Sequence, residues 1–202
     1  MRDFDNFQKA NQLFMENGFI DVTMDDICSE LKISKKTLYQ HFCSKKELIK
    51  WVLEMRNKQL IDVWENCCIL EPTMTEAMLD MRQYTIKLID LKGQRGNLAE
   101  LKRYDPQLEA FYLDDLQREL VKLMTLVTKE GQDRGVFLKT LNPERLAKAL
   151  TLNFFHFRLL GLQTVNESDA ISKTTMYIFI RGALTDKGRE EIGELLDFLL
   201  VY

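Results

Sequence analysis

The chain has 202 residues, 46% of them apolar and 29% charged, which is enough apolar content to bury a sizeable core and too much to leave the chain disordered. Its 28 lysines and arginines are outnumbered by 31 aspartates and glutamates; a net charge of −3 excludes a chain that is basic throughout, so any grip on a polyanion must come from a local patch. The opening Met1-Arg2-Asp3-Phe4-Asp5 lacks the apolar core of a signal peptide, and no run approaches the roughly 18 apolar residues of a membrane span, which predicts a cytoplasmic protein with no membrane partner.

Three prolines, nine glycines and no sustained apolar–polar alternation predict an all-α fold. The first helix is expected from Asp3 to Asn17, with Phe4, Phe7, Ala10 and Phe14 on one stripe and Gly18 ending it. Thr23, with Asp26 three residues on, starts a second helix whose buried side is Ile27 and Leu31. Ser34 opens a third, with Leu38 and Phe42 pointing inward, and Ser44-Lys45-Lys46-Glu47 is a capping box that opens a long fourth helix through Trp51 and Met55 toward Trp64. Pro72 and the box Thr73-Met74-Thr75-Glu76 restart the chain in a helix to about Leu91, and Lys92 to Gly96 is a break. Asp105-Pro106 starts a helix to about Glu130, and Asn142-Pro143 repeats that device for a helix through Leu162. A helix over 168–181 and a last one from about Asp186 to Val201 complete the chain.

Chemistry concentrates between Thr23 and Leu48, where two short amphipathic helices meet across a tight turn with another helix behind them. In a helix-turn-helix the second helix enters the major groove and the first crosses the backbone. Residues 32–50 carry six lysines against the single Glu47, a net charge of +5 within an acidic chain. With Leu38 and Phe42 buried one turn apart, Lys35, Lys36, Thr37, Gln40 and His41 project from the other sides of the third helix. Lysine, threonine and glutamine hydrogen-bond base edges or phosphates; Tyr39 and His41 donate to phosphate oxygens, and Lys45 sits in a helix first turn whose free amides favour an anion. On the residues alone one alternative stays open, a helical interaction or ligand-carrying bundle that binds no DNA and whose lysines are a solvated face.

The run Ala10-x-x-Leu13-Phe14-x-x-x-Gly18-Phe19, Thr23-Met24-x-x-Ile27 and Ile33-Ser34-Lys35-Lys36-Thr37-Leu38-Tyr39-x-His41-Phe42-x-Ser44-Lys45-x-Glu47-Leu48 resembles the N-terminal domain of the TetR family of bacterial transcriptional regulators. The resemblance covers about residues 4 to 50. It implies a helix-turn-helix DNA-binding domain over 1–48, joined by a long helix to a helical effector-binding and dimerisation domain over 49–202. It further implies a homodimeric repressor released from a palindromic operator by a small molecule. By position, the family's phosphate contacts fall on Thr23, Ser34, Lys35, Tyr39, His41 and Lys45, and its base-reading positions on Lys36, Thr37 and Gln40. Two departures stand out. Many members carry glycine where Lys36 stands, so this protein is expected to read bases with a lysine there, and Arg2 is the only basic residue ahead of the first helix, so no minor-groove arm is expected.

Beyond the fourth helix the residues speak less specifically. The helix over 143–162 is apolar around most of its circumference, through Leu150, Leu152, Phe154, Phe155, Phe157, Leu159 and Leu160, and the one over 168–182 carries Met176 to Ile180. Both fit a dimer interface or a central core position, and the resemblance favours the interface. Met78, Met81, Tyr84 and Leu88 form one helical stripe, which Trp64, Phe111, Tyr112, Met124, Phe155 and His156 could face. Plain core explains such a stripe; a pocket for a hydrophobic effector also does, because methionines adapt to varied apolar ligands. Cys28, Cys43, Cys67 and Cys68 form no Cys-x-x-Cys pair, and neither a metal nor a cofactor is expected. No nucleophile–base pair or Gly-rich phosphate loop appears, so no enzyme is predicted.

Overall fold

A computed structural model of the chain describes residues 3–71, 73–77, 79–80, 96, 98–159 and 165–200. Its helices are α1 (Phe4–Asn17), α2 (Met24–Leu31), α3 (Lys35–His41), α4 (Lys45–Leu70), α5 (Leu98–Tyr104), α6 (Pro106–Asp133), α7 (Pro143–Leu159), α8 (Val165–Ala183) and α9 (Asp186–Leu200), with a further helical stretch over 74–77. Among the described residues there is no strand; Phe137 and Leu184 form an isolated antiparallel bridge. The all-α reading holds.

The caps sit where the sequence places them. Asp3 accepts the Asn6 amide at 2.9 Å to start α1. The Ser44 hydroxyl accepts the Glu47 amide at 3.2 Å at the start of α4, and the Glu47 carboxylate reaches one residue further back than a capping box requires, accepting the Cys43 amide at 2.8 Å. Thr73 and Glu76 close a reciprocal box at 3.1–3.2 Å. Asp105 accepts the amides of Gln107 and Leu108 at 2.9 and 3.0 Å, and Asn142 accepts that of Arg145 at 3.0 Å.

The chain divides into two compact units, Met1–Leu60 with Ile86–Leu116, and Ile61–Thr85 with Gln117–Tyr202. The first is larger than the 1–48 domain drawn from the sequence. The reason is packing between distant segments: Leu101 of α5 and Leu108 of α6 are buried in one core with Phe7, Ala10 and Phe14 of α1, Ile27 and Leu31 of α2, Leu38 of α3, and Leu48, Ile49, Val52 and Leu53 of α4. Trp51 of α4 ties this core together, its ring 6.2 Å edge-on from Phe7 and 5.2 Å from Phe42 just past α3. Phe111 and Tyr112, read from the sequence as candidate pocket residues, pack against this same core.

Helix α5 is absent from the sequence reading, since seven residues after a glycine-bearing break give too short a pattern to register. Its Glu100 is 6% exposed and accepts the amides of Phe19 at 2.7 Å and Ile20 at 3.3 Å in the α1–α2 turn. Gly18 has φ +92°, and a Cβ there would run into that carboxylate, so the turn requires glycine on both counts. Arg56 of α4 donates to Asn11 and Met15 of α1, with its guanidinium 5.6 Å from the centre of the Phe19 ring. Burial pulls its pKa down to about 10, which leaves it charged at neutral pH.

The second unit has a core of Met74, Val136, Phe137, Ala183, Leu184, Ile192 and Leu196. Around the Phe137–Leu184 bridge, Leu138 donates to the Ala183 carbonyl at 2.9 Å and Thr185 to that of Val136 at 3.0 Å. Gln132 near the end of α6 closes the adjoining loop by donating to the Leu138 and Leu141 carbonyls, both at 2.9 Å. Met74 donates to the Glu191 carboxylate at 3.0 Å, which fastens the 74–77 stretch to α9.

Removing the Glu100 carboxylate leaves the Phe19 amide buried without its acceptor. Glu100→Ala is expected to lower stability by about 1–3 kcal/mol. Urea unfolding measures the loss, and the Phe19 amide should exchange its hydrogen faster than in the parent protein while amides within α9 keep their rates.

Candidate nucleic-acid interface

Helices α2 and α3 are short, and their placement depends on their ends. Thr23 and Asp26 form a complete capping box, the Thr23 hydroxyl accepting the Asp26 amide at 3.2 Å and the Asp26 carboxylate accepting the Thr23 amide at 2.8 Å and its hydroxyl at 2.7 Å. Those hydrogen bonds hold the Asp26 carboxyl below its ordinary pKa. The Ser34 hydroxyl accepts the Thr37 amide at 3.1 Å and shares a hydroxyl–hydroxyl bond with the Thr37 side chain at 2.8 Å. Between the two helices Lys32 takes a left-handed conformation, φ +54° and ψ +43°, and the Ile33 amide donates back to the Cys28 carbonyl at 3.0 Å. The turn of the helix-turn-helix is thus made by a non-glycine residue.

One face of this pair is apolar and sealed. Ile27, Leu31, Leu38 and Phe42 are all under 9% exposed. The other face is open: Thr23, Ser34, Lys35, Lys36, Tyr39, Gln40 and His41 are exposed, and Thr37, bonded to Ser34, is half-buried. Tyr39, at 49% exposure, holds a large ring outward that a buried position would have covered.

The basic patch divides into two groups. Lys32, Lys35 and Lys36 lie on the open face, Lys35 in an ion pair with Asp25 of α2 at 2.8 Å. The lysines of α4 have neighbours within the first unit. Lys45 is half-buried, donates to the Ile20 carbonyl at 2.9 Å and stands 5.0 Å over the Tyr104 ring; burial lowers its pKa against the pull of Glu100, Asp21 and Asp26. Lys46 pairs with Asp105 at 2.5 Å, and Lys50 stands 4.1 Å over the Phe111 ring. Lys45, expected from the sequence to meet a phosphate, therefore also fastens the start of α4 to the α1–α2 turn. Asp25 and Glu100 went unread because the partner of Asp25 lies across a turn and those of Glu100 lie in the α1–α2 turn, far away in sequence.

A sealed apolar face, a reciprocal cap on α2, a hydroxyl cap on α3 and an open basic face on the second helix make a helix-turn-helix in working order. Residues 7–52 match the model of the bacterial regulatory proteins of the tetR family. The HTH-type transcriptional regulator UidR of Escherichia coli strain K12 is 46% identical over 146 residues, 70% of this chain and 71% of that protein. The chain belongs to the TetR family. It is a DNA-binding transcriptional regulator of that family. Solved structures share the fold at low identity: a transcriptional regulator from Cytophaga hutchinsonii aligns with TM-score 0.68 at 16% identity, covering 89% of this chain and 97% of that one. A TetR-family regulator from Pectobacterium atrosepticum aligns with TM-score 0.64 at 21% identity, covering 90% and 93%.

The other candidates are placed less fully. Trp64 and Met124 belong to the second unit and are half-buried. Met78, Met81 and Tyr84, and the side chains of Phe155 and His156, lie outside the described residues.

Two expected outcomes follow from the caps. A left-handed lysine costs about 1–2 kcal/mol of strain, against about 0.5–1 kcal/mol of backbone entropy that glycine loses on folding. Lys32→Gly is accordingly expected to raise stability by about 0.5 kcal/mol, read by urea unfolding. The second outcome concerns acid. Because the Asp26 pKa is lowered in the fold, its contribution is present above the ordinary carboxylate value near 4 and drains away as pH falls through the lowered one. Asp26→Asn is expected to flatten the acid side of the stability–pH curve relative to the parent protein.

Proposed function

We propose that the protein is a homodimeric repressor in the cytoplasm, with no catalytic activity, that binds a palindromic operator and is released by a small, apolar effector. The observation that carries the DNA half of this reading is the open face of α3, where Lys35, Lys36, Tyr39, Gln40 and His41 stand outward on a helix fixed by its cap and by the buried Leu38. Thr23, Ser34, Lys35, Tyr39, His41 and Lys45 are assigned to phosphates, which set register, and Lys36, Thr37 and Gln40 to base edges, which set sequence.

Dimerisation is assigned to α7 and α8. Leu152 of α7 is 56% exposed, and Ile178 and Phe179 of α8 are 62% and 42% exposed, an apolar surface that a second copy would cover. Two copies place their recognition helices in successive major grooves, about 34 Å apart. The effector site is assigned to the second unit, where Trp64 and Met124 are the described candidates. An effector that binds one spacing of the recognition helices better than another shifts the dimer between them, and only that difference in affinity provides release.

Fluorescence polarisation against the DNA upstream of the protein's own gene, with a shuffled duplex beside it at physiological salt, tests the reading. Tight binding to the upstream duplex is expected, and Gln40→Ala should weaken it about tenfold while leaving shuffled DNA unaffected. Equal affinity for both duplexes would reject sequence-specific regulation. For the dimer, Ile178→Asp is expected to halve the mass seen in sedimentation; an unchanged mass would place the interface elsewhere.

A further inference from the structure

The open face carries an acid where a polyanion would dock. Asp25 lies in the first turn of α2, and its Oδ1 is 2.8 Å from the Nζ of Lys35 in the first turn of α3. Its neighbour Asp26 is committed to the capping box with Thr23, so Asp25 is the first-turn acid of α2 that reaches across to α3. Both partners are exposed, at 63% for Asp25 and 64% for Lys35, so no burial locks the pair. From these positions we infer that Asp25 competes with the DNA phosphate for the Lys35 ammonium and so sets how tightly this face grips any duplex. This rests on the DNA reading above and names a residue which that reading leaves out.

The physical argument is an exchange of anions. In free protein Lys35 and Asp25 together are neutral, and the ammonium is held charged by its partner. On DNA a phosphate takes the ammonium's outer side, and either the pair opens or the phosphate sits close to a carboxylate of like charge. Each case subtracts from the gain. A neutral pair also displaces fewer condensed cations from DNA than a lone lysine does, so it flattens the dependence of affinity on salt. Phosphate contacts carry no sequence information, so the subtraction falls alike on operator and unrelated DNA.

Asp25→Asn removes the charge and keeps a polar side chain in the helix first turn. Binding to the upstream and the shuffled duplex is measured across a salt series for the parent protein, Asp25→Asn, Lys35→Ala and the double variant, with circular dichroism to confirm that each folds. Asp25→Ser is the substitute should asparagine disturb the turn. The expected result is a gain of about two- to fivefold on both duplexes, the scale of an exposed ion pair, with a salt slope steeper by about 0.9. On the Lys35→Ala background the same change should gain clearly less, because only the direct repulsion between carboxylate and phosphate is then relieved. A gain that is undiminished there, a gain confined to the upstream duplex, or no gain and no change of slope would each overturn the inference while leaving DNA binding intact. Failure of all four proteins to bind either duplex at low salt would overturn the DNA reading and this inference with it.

Discussion

A buried carboxylate fastens the DNA-reading end of the chain from 81 residues away. Glu100 accepts the Phe19 amide, and more distantly that of Ile20, at the place where α1 turns toward α2. Neither amide belongs to a helix, so without an acceptor they would be orphaned donors in or beside an apolar core. Gly18 is the matching half of the arrangement, because its positive φ aims the following amides and its missing Cβ makes room for the carboxylate. The direction of α2, and through the Lys32 turn that of α3, begins at this contact. Lys45 adds a second hold on the same turn through the Ile20 carbonyl, with Tyr104 of α5 beneath its ammonium.

Charge on this protein has to be counted by what each group already touches. Six lysines within 19 residues suggest a uniform basic patch, yet the fold gives them two occupations. Lys45, Lys46 and Lys50 meet Ile20, Tyr104, Asp105 and Phe111 inside the first unit, and the same Asp105 that caps α6 is held ionised by Lys46. Lys32, Lys35 and Lys36 are on the exposed face, and one of these is paired with Asp25. The ammonium groups that stabilise the domain and those that would meet a phosphate are thus largely separate.

What the sequence discloses and what it hides follow from the range of the forces involved. Caps at Thr23, Ser34, Ser44, Thr73, Asp105 and Asn142 were readable because each is a bond between residues three apart. The inward set Ile27, Leu31, Leu38 and Phe42 was readable because helical spacing repeats over a few turns. Helix α5 was not, since its seven residues earn their conformation from a core that they enter through Leu101, and no local pattern announces that partner. For the same reason the sequence offers Phe111 and Tyr112 as pocket candidates without showing that they pack against the core of the first unit. Asp25 looked like an ordinary first-turn acid because its partner lies across the turn, in the next helix.

The first unit is assembled from two stretches of chain that are not contiguous. During synthesis its opening helices leave the ribosome well before Glu100 and Leu101 exist, so the α1–α2 turn waits, its donors satisfied by water, until α5 has emerged. Anyone cutting this module out to graft onto another protein therefore inherits a boundary problem: a fragment ending at residue 60 would carry every side chain proposed to meet a base edge and lack the acceptor that holds the α1–α2 turn. The transplantable piece is the pair of segments together, which ties the grammar of DNA reading to a part of the chain that never approaches the recognition helix in sequence.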